Sequence, residues 1–388
     1  MINSKSSQRH LIAIDSTRSG THGAKRFIKT ILTGLLNYTK LNIVVFVSCD
    51  SFNSFEDKRL NIVHLKSRRG TIMGILNACF TIPILARLHQ AKILYSPWDI
   101  GPLIKPIPYV LGIHSSNHIS PTGYESSGTG IGIKLSRLHK FLVKISARSA
   151  FAIEFPSNSA ADCICEDFGI DKGKRNVIYH GAELSKWKKT LKQIKSSNTK
   201  NHLGEYFIFW SWFYKTKNIE TLLEGFSKYI DSKNGNKDLN LVCAGKFVST
   251  AYQQEILMKI EQLNIQDKVI FLDQPDDAEL VKLIHYSKGI VIPSLYETFG
   301  FMYVEGRLFD KPLIAADTDV AREITEGQCI YFKGRDSDDL ALKIGESLEK
   351  NNNEYSYRIS PLFYEENASK YLAEFFLNCY EKLVSFEN

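Results

Sequence analysis

The sequence IVIPSLYETFGFMYVE, residues 290–305, decides the fold of this chain. It opens with an apolar run typical of a buried strand, turns at Pro293, and continues past Gly300 into an apolar segment with helical spacing. A strand-to-helix junction directs unpaired backbone N–H groups and the positive end of the helix dipole towards a ligand. Because Glu297 lies in the turn and Glu305 in the predicted helix, this junction suits a ligand with a phosphate centre and two hydroxyl-rich ends, the shape of a nucleotide sugar.

Outward from this stretch, apolar strand-like runs alternate with helical patterns in both halves of the chain, which predicts α/β architecture with parallel sheets. In the first half the predicted strands are residues 10–15, 42–47, 61–66, 92–96, 108–114, 152–157 and 176–180. In the second half they are residues 206–210, 239–244, 268–272, 289–293, 312–316 and 329–332. Ligands of open parallel sheets bind beyond the carboxyl ends of the strands, so we expect a site in the cleft between the two halves.

Helical patterns and one polar stretch set the expected domain boundaries. Helices are predicted for residues 24–38, 217–229, 252–263, 278–286, 300–309, 338–348 and 364–384. Residues 184–202 are polar and rich in lysine, and residues 197–203 lack periodicity, which is typical of a linker. The length of 388 residues also favours two domains. We therefore expect a Rossmann-like domain at 1–183, a linker at 184–204, a second Rossmann-like domain at 205–362 and a last helix at 363–388.

Composition and the lack of long apolar runs exclude several classes of protein, whereas the net charge excludes none. With 44% hydrophobic and 23% charged residues the chain is typical of globular proteins, and its net charge of +7 agrees equally with anionic substrates, an anionic membrane or nucleic acid. No apolar run reaches the roughly 18–20 residues that cross a bilayer, and the polar N-terminus lacks a signal-peptide core, so we expect a cytoplasmic protein. The seven cysteines form no Cys-x-x-Cys pair and predict small buried side chains in a reducing compartment.

Two features leave alternatives open. Gly20 and Gly23 follow the first predicted strand and suit either a phosphate-binding loop or a simple tight turn. Residues 131–150 have one apolar and one basic helical face, so this helix can lie on an anionic leaflet or pack on its own sheet. The apolar face comprises Ile131, Leu135, Leu138, Leu142 and Ile145, and the basic face Lys134, Arg137, Lys144 and Arg148.

The spacing of Glu297 and Glu305 also has two interpretations. At about 1.5 Å per helical residue the two carboxylates lie roughly 12 Å apart, whereas a glycosidase pair needs roughly 5–9.5 Å. The wider spacing is similar to the span from a sugar, across a diphosphate, to a ribose. The alternative is structural, with an exposed Glu297 that caps the helix and a Glu305 on the surface.

The same stretch closely resembles the Glu-x7-Glu signature of the family 4 retaining glycosyltransferases. Residues 297–305, ETFGFMYVE, carry the signature between VIPSLY and KPLIA. Residues 208–226 resemble the family's strand, Lys-Asn pair and helix, residues 241–245 its second strand, and residues 176–181 the end of its acceptor domain. The resemblance is strong over 205–350 and weaker, though collinear, over 8–183.

This resemblance implies a GT-B fold, in which two Rossmann-like domains with parallel sheets face an interdomain cleft and the last helix crosses back to the first domain. It implies that Glu297 contacts the hydroxyls of the donor sugar, that Glu305 accepts hydrogen bonds from the ribose, and that Lys217 neutralises the departing diphosphate. His114 corresponds to the family's active-site histidine near the reacting centre. The other donor-binding positions that the resemblance implies are Gly20, Gly23, Ser211, Thr298, Phe299, Gly300 and Phe301.

The chain departs from the family pattern near the expected phosphate site. Ser211-Trp212 stands where the family often has Gly-Arg, so one phosphate-binding cation is missing, and Arg307 or Lys215 are the candidates to replace it. Three further departures are His180 for an Asn, Ser115 for an Asp and Asp310 for a Gly.

Two acidic pairs, Asp317-Thr-Asp319 and Asp336-Ser-Asp338, are similar to the Asp-x-Asp metal motif of the other major glycosyltransferase fold. Each pair directly precedes a helical pattern, where Asp and Ser commonly cap helices. We therefore predict capping, with no essential metal and no cofactor besides the nucleotide-sugar co-substrate.

The predicted function is retaining, metal-independent transfer of a hexose-type sugar from a nucleotide-diphosphate donor to a saccharide acceptor, carried on a lipid, in the assembly of a bacterial surface polysaccharide. The expected location is cytoplasmic, with an anionic membrane on the inner face of the cell as a further partner and no nucleic acid. The alternatives are another GT-B enzyme, such as a sugar-nucleotide epimerase or a phosphorylase, and a non-catalytic membrane- or nucleic-acid-binding protein of the same fold.

Overall fold

The computed structural model describes residues 11–18, 22–48, 52, 55–65, 72–120, 133–197, 201–349 and 355–387. Contacts divide the chain into two compact units. Unit 1 is drawn from the segments Met1–Ser115, Arg137–Gly181 and Pro361–Asn388, and unit 2 from Ser116–Ser136 and Ala182–Ser360. Each unit therefore has its own sheet and its own core.

The strands of both units lie close to the apolar runs that predict them from the sequence. In unit 1 they are β1 Leu11–Ser16, β2 Asn42–Val47, β3 Leu60–His64, β4 Ile93–Ser96, β5 Tyr109–Gly112, β6 Ala152–Phe155 and β7 Arg175–Val177. In unit 2 they are β8 Tyr206–Phe213, β9 Asn240–Phe247, β10 Val269–Leu272, β11 Gly289–Ile292, β12 Leu313–Ala316 and β13 Ile330–Phe332.

The helices cover these sheets. In chain order they are α1 His22–Tyr38, α2 Ile72–Leu76, α3 Ile82–Leu88, α4 Ile133–Ser149, α5 Asn158–Phe168, α6 Leu184–Lys195, α7 Ile219–Asp231, α8 Thr250–Gln262, α9 Asp277–Tyr286, α10 Phe301–Gly306, α11 Asp319–Thr325, α12 Ser337–Glu349 and α13 Glu365–Glu387. A π-helical turn, Asn77–Thr81, joins α2 to α3, and 3₁₀ turns include Lys215–Lys217. Among the helices that the structure describes, none has both the length and the hydropathy needed to span a bilayer.

Unit 1 is a seven-stranded parallel sheet in the order β3-β2-β1-β4-β5-β6-β7. The inner strands β1, β4 and β5 are buried on both faces, which is why they are continuous apolar runs rather than alternating ones. One face is covered by α1 and α13, whose apolar residues Ile31, Leu35, Leu372 and Phe376 share a single core cluster. The last helix thus belongs to the same unit as the first strand.

The contact between α1 and α13 depends on a glycine, which gives a stability prediction. A Cβ at Gly34 would lie 2.0 Å from the Ser369 carbonyl oxygen, whereas a Cβ at Gly23, in the first turn of α1, would meet no atom within 4 Å. We expect Gly34→Ala to lower the free energy of unfolding by about 1–3 kcal/mol through overpacking, and the matched Gly23→Ala to raise it by up to about 1 kcal/mol through helix propensity. Urea unfolding of both variants checks this, and equal effects would contradict it.

Unit 2 is a six-stranded parallel sheet in the order β10-β9-β8-β11-β12-β13. From β8 the chain proceeds to β9 and β10 on one side, and from β11 it proceeds to β12 and β13 on the other. The strand order therefore reverses between β8 and β11, so the connections from these two strands lead to opposite sides of the sheet. Such a switch point, at the carboxyl ends of the strands, is where open α/β sheets bind ligands.

The predicted linker differs from the sequence-based expectation. Residues 184–195 of the predicted linker form α6, which lies in unit 2 with Leu184, Trp187 and Leu191 buried. These residues recur at helical spacing, and the Trp187 ring lies 6.2 Å from that of Phe309. The intervening lysines raise the polarity of the segment and mask its narrow apolar stripe, although that stripe is sufficient to dock a helix.

Candidate active site

The loops that follow β8 and β11 are joined at the switch point of unit 2. The Leu295 backbone N–H donates to the Thr216 carbonyl at 3.0 Å. Asn218 adopts the left-handed conformation with φ of 55°, and its side-chain amide donates to the carbonyls of Pro293 at 3.2 Å and Gly334 at 2.6 Å. In the Lys-Asn pair of the sequence, Asn218 thus has a structural role, because it fixes the loop from which Lys217 projects.

Lys217 and Glu297, eighty positions apart in the sequence, form an ion pair at this point, Lys217 Nζ donating to Glu297 Oε1. Their side chains are only 13% and 10% exposed. An ammonium group has three N–H donors and a carboxylate has two oxygens, so each side chain retains capacity for a ligand after this hydrogen bond is formed. The pair therefore places a cation and a carboxylate, oriented by each other, beside the ends of β8 and β11.

Between Glu297 and α10 the chain passes through Gly300, where any other residue would strain the backbone. Gly300 has φ of 75° and stands at the N-cap of α10, and a Cβ there would lie 2.6 Å from the ring of Tyr303. Thr298 and Phe299 are buried, and the ring of Phe299 meets that of Phe301 edge-on at 5.3 Å. The backbone of this turn is consequently held by packing of its own side chains.

The helix after this turn is shorter than the pattern of residues 300–309 predicts, since α10 ends at Gly306 after six residues. Glu305 lies inside it and is 5% exposed. The structural alternative, with an exposed Glu297 capping the helix and a surface Glu305, is not what the structure contains, because both carboxylates are largely buried and Gly300 occupies the cap. Buried carboxylates are costly unless they are paired, which favours a specific role for both.

The two candidates for a replacement phosphate cation are engaged elsewhere. Arg307 is 2% exposed, and its guanidinium donates to the carbonyls of Ile324 at 2.6 Å and Arg358 at 3.1 Å and to Glu326 at 3.0 Å. Lys215 points to Glu255 at 2.8 Å. Neither side chain is therefore placed beside Lys217, and Arg307 instead stabilises the segment that follows α10.

Ser211 and Trp212, which stand in place of the family's Gly-Arg, lie near the end of β8. Ser211 pairs in register with Gly245 of β9, and this approach is so close that a Cβ at Gly245 would lie 1.7 Å from the Ser211 carbonyl oxygen. The Trp212 side chain is 39% exposed. At this position the chain presents a partly exposed aromatic side chain.

In unit 1, His114 follows β5 and is held by a buried carboxylate that the sequence analysis did not single out. His114 Nε2 lies 2.6 Å from Glu154 Oε2, and the Tyr95 hydroxyl donates to the same oxygen at 2.9 Å. The Asp99 carboxylate accepts the His114 backbone N–H at 2.9 Å. Glu154 is fully buried in β6, and the signal that points to it is an acidic residue inside an otherwise apolar strand.

A second histidine lies against the first. The ring centroids of His114 and His180 are 5.0 Å apart, and Phe27 meets both rings edge-on at 4.6 Å. Burial alone would lower the pKa of His114, but the Glu154 carboxylate outweighs burial and the pKa is raised. Burial lowers the pKa of His180 well below its usual value, and the charges of His114 and Arg26 add to that effect. Near neutral pH one histidine of the pair therefore holds its proton more firmly than free imidazole, and the other less.

The first loop of unit 1 is anchored by its own side chains. The Asp15 carboxylate accepts the Thr17 backbone N–H at 2.9 Å and its hydroxyl at 2.7 Å, and Arg18 donates to the Ile100 carbonyl at 2.9 Å. Gly23 lies in the first turn of α1, whereas Gly20 lies outside the described residues. The choice between a phosphate loop and a tight turn for these glycines stays a prediction.

The two acidic pairs after β12 and β13 have structural partners. Thr318 caps α11 through the Ala321 N–H, and Asp317 pairs with Arg322 at 2.6 Å. Asp336 accepts the backbone N–H groups of Asp338 and Asp339 at the start of α12. The capping prediction is confirmed for Asp336, while in the other motif the capping residue is the central threonine. Within the described ranges, no group of three or more His, Cys, Asp or Glu side chains is arranged to hold a metal ion.

Known proteins resemble this chain in sequence and in fold. Residues 191–360 match the family model described as Glycosyl transferases group 1. The chain is 26% identical over 197 residues to the O-antigen chain mannosyltransferase RfbU of Salmonella typhimurium, a match that covers 51% of each chain. It is 25% identical over 248 residues to the alpha-monoglucosyldiacylglycerol synthase of Streptococcus pneumoniae, covering 62% of this chain and 54% of that one. The matched region thus spans about half the length of these curated relatives.

Solved structures match over nearly the whole chain. Sucrose-phosphate synthase from Thermosynechococcus elongatus aligns with a TM-score of 0.70 at 15% identity, over 96% of this chain and 100% of that one. The Anabaena protein HepE in complex with UDP-glucose aligns with a TM-score of 0.59 at 16% identity, over 97% and 98%. Residues 191–360 therefore match the glycosyl transferases group 1 model, and the two parallel α/β sheets of the chain have the GT-B fold.

Proposed function

We propose that this protein is a retaining, metal-independent glycosyltransferase that moves a hexose-type sugar from a nucleotide-diphosphate donor to a saccharide acceptor. The observation that carries the proposal is the buried Lys217–Glu297 pair at the switch point of a glycosyl transferases group 1 domain. A parallel sheet binds its ligand at that position, and the pair supplies the two chemical groups that a sugar diphosphate needs.

In the proposed reaction, the acceptor hydroxyl attacks the anomeric carbon on the face from which the diphosphate departs. The bond between that carbon and the phosphate oxygen breaks, and the hydroxyl proton leaves with the diphosphate. Lys217 stabilises the negative charge that develops on the leaving group, since a positioned cation in a largely dry site acts strongly on such charge. Glu297 accepts hydrogen bonds from the sugar hydroxyls, Glu305 binds the ribose, and His114 is the residue of unit 1 that we assign to the reaction.

The names of the relatives support the donor and acceptor classes that we propose. One matched structure is a complex with UDP-glucose, and the curated relatives include an O-antigen chain mannosyltransferase and a monoglucosyldiacylglycerol synthase. We propose a nucleotide sugar as donor and a lipid-carried saccharide as acceptor, in the assembly of a bacterial surface polysaccharide.

The test is a panel of UDP- and GDP-linked hexoses, first for binding and then for turnover. A ligand that binds only the folded protein stabilises it by about 2.7 kcal/mol at a hundredfold excess over Kd, so the correct donor raises Tm above the values seen with the other donors. Product analysis with and without acceptor, in the presence and absence of EDTA, then identifies the reaction. We expect acceptor-dependent release of the nucleoside diphosphate, an unchanged anomeric configuration and no effect of EDTA.

Other outcomes would replace the proposal. Donor isomerised without an acceptor would identify an epimerase, and turnover that requires inorganic phosphate would identify a phosphorylase. No stabilisation by any nucleotide or nucleotide sugar, together with salt-sensitive binding to oligonucleotides, would favour a nucleic-acid-binding protein of the same fold.

A further inference from the structure

Exposed apolar side chains are concentrated on one part of unit 1. Of the sixteen large hydrophobic residues that are exposed among the described residues, nine lie on α2–α3, on α4 and on the loop before β5. They are Met73, Leu76, Phe80, Ile84, Leu88, Ile104, Leu138, Phe141 and Ile145. Single exposed hydrophobics are normal, but a cluster of this size marks an interaction surface. We call this set the apolar ridge.

The α2–α3 segment contributes a continuous stripe to the apolar ridge. Five of the ridge residues recur at intervals of three or four positions from Met73 to Leu88, on one face of the helices and the π-helical turn. The opposite face is buried through residues that include Cys79, Ile82 and Ala86. This segment therefore buries one face, which includes Cys79 and Ala86, and exposes large apolar side chains such as Phe80 on the other.

Helix α4 has the same inverted arrangement. The side chains that pack inwards are Val143, Ser146 and Ala147, all fully buried. Leu138 and Ile145, which belong to the apolar face that the sequence predicts for packing or for a membrane, are 52% and 37% exposed. The interpretation in which this face packs on its own sheet is therefore wrong for these residues.

The two segments lie side by side on one face of the sheet of unit 1. The crossovers from β3 to β4 and from β5 to β6 run in the same direction across the strand order, so right-handed connections place α2–α3 and α4 on the same face. The loop after β4 contacts both segments. The Gly101 N–H donates to Ser146 Oγ at 3.1 Å, and the Leu103 N–H donates to the Cys79 carbonyl at 3.1 Å. The loop that carries Ile104 is thus hydrogen-bonded to both of the other parts of the apolar ridge.

The surroundings of the apolar ridge are strongly basic. The three segments that carry the ridge, residues 72–88, 100–108 and 137–149, contain six lysines and arginines and no acidic residue, although the whole chain has a net charge of only +7. Exposed cations of the described part are found on each of the three segments, and they include Arg87, Lys105 and Arg137. Lys140 pairs with Asp167 at 2.6 Å, so part of the charge of α4 is neutralised from α5.

We infer that the apolar ridge docks on an anionic lipid bilayer, with its large side chains in the boundary between headgroups and acyl chains and its cations on the lipid phosphates. Apolar side chains flanked by lysine and arginine are the recognised composition of interfacial helices. A second copy of the same face would bring like charges together, which disfavours self-association through it. The further statement that this bilayer carries the acceptor rests on the proposed function.

The test is co-sedimentation of the intact protein, without donor, with vesicles of phosphatidylcholine alone or with about one phosphatidylglycerol in three lipids. We expect binding to the anionic vesicles that weakens as salt is raised. Phe80→Ser with Ile84→Ser, and separately Phe141→Ser, should each weaken binding about tenfold or more, because they remove apolar area that inserts. Lys105→Gln with Arg137→Gln should remove the preference for phosphatidylglycerol.

The matched control is Leu342→Ser, which removes an apolar side chain of unit 2 that is 57% exposed. We expect this variant to bind vesicles as the unmodified protein does. Absence of vesicle binding, equal loss in Leu342→Ser, or retention of full affinity in the Phe80 and Phe141 variants would each overturn the inference. Turnover with a water-soluble acceptor should be unchanged in the ridge variants, so failure of the membrane inference and failure of the proposed function are separate results.

Discussion

Replacement of Lys217 by alanine should lower kcat for sugar transfer by about a hundredfold to a thousandfold, the range found when one positioned electrostatic contact to a developing negative charge is removed. The reason is geometric. Asn218 and the backbone bond from Leu295 to Thr216 hold the loop in which Lys217 sits, and Glu297 orients its ammonium group. A charge held in this way acts on the transition state without the cost of reorganisation.

The matched control for this prediction lies two residues away. Lys215 belongs to the same 3₁₀ turn, but its side chain is half exposed and pairs with Glu255. Lys215→Ala should therefore leave kcat and KM nearly unchanged. Steady-state kinetics separates the possible results for Lys217→Ala, since an equal loss in kcat and kcat/KM indicates an interaction made in the transition state, whereas a rise in KM alone indicates uniform binding.

Loss of stability must be separated from loss of chemistry in this test. Lys217→Ala leaves Glu297 largely buried without its cation, and breaking a buried pair from one side costs about 3–5 kcal/mol. The double variant Lys217→Ala with Glu297→Ala removes both charges and should recover much of that stability while activity stays low. A double variant that recovers activity along with stability would show that the pair is structural, and the proposed role of Lys217 would fail.

The sequence predicts the sheets well because the strands carry their own signal. β11 is buried at every position and stands in a run of apolar residues between Lys288 and Pro293, so its type and limits follow from local composition. The same is true of β12, whereas β8 extends three residues beyond its predicted end and is partly exposed there. In contrast, the pairing of Lys217 with Glu297 depends on the strand order, which brings the ends of β8 and β11 together across eighty positions. Only the resemblance to a family relates these two residues before the structure is known.

The sequence-based predictions for α6 and α4 are wrong for the same physical reason, which is that each helix buries only a narrow face. In α6 three buried residues are enough to dock a helix that contains several lysines, so average polarity predicts a linker. In α4 small residues such as Ser146 and Ala147 form the buried face, and the large apolar residues face outwards. A hydrophobic pattern identifies which residues share a face, but it does not determine whether that face meets the sheet or the surroundings.

Glu154 illustrates a second limit of sequence reasoning. A carboxylate within the apolar strand β6 is conspicuous only after the strand is known to be buried on both sides, and its partners come from β4 and from the segment that follows β5. The sequence predicts His114 as a site residue through resemblance alone. The structure adds the group that sets its charge.

The second large effect that we expect concerns Glu154→Gln, a change that keeps the size of the side chain and removes its charge. In the unmodified protein Glu154 raises the pKa of His114 against the effect of burial. Without the carboxylate, burial and the neighbouring His180 remain, so the pKa of His114 should fall below its ordinary value near 6.5. Titration of the histidine ring signals by NMR measures this directly and does not depend on any assumed activity.

The sign of the stability effect follows from the same shift. A raised pKa stabilises the fold fully below the ordinary value of about 6.5, and this contribution is lost as pH rises through the raised pKa. His180, whose pKa is lowered, acts in the opposite sense and costs stability as pH falls below 6.5. The stability deficit of Glu154→Gln should therefore be largest in acid and shrink as pH rises. In the unmodified protein, protonation of His114 stabilises the fold in acid, whereas in the variant neither histidine of the pair does so.

The pH profile of transfer gives the test of function. Because we assign His114 to the reaction, its alkaline limb should move to lower pH in Glu154→Gln as the protonated imidazole is lost earlier. Glu166→Gln is the matched control, since it removes an exposed carboxylate of α5 in the same unit. An unchanged pKa of His114 in Glu154→Gln would show that the carboxylate does not set the charge of the ring. If the pKa of His114 fell but the alkaline limb of the pH profile did not move, His114 would have no role in catalysis, because its change of charge would leave the rate of sugar transfer unaffected.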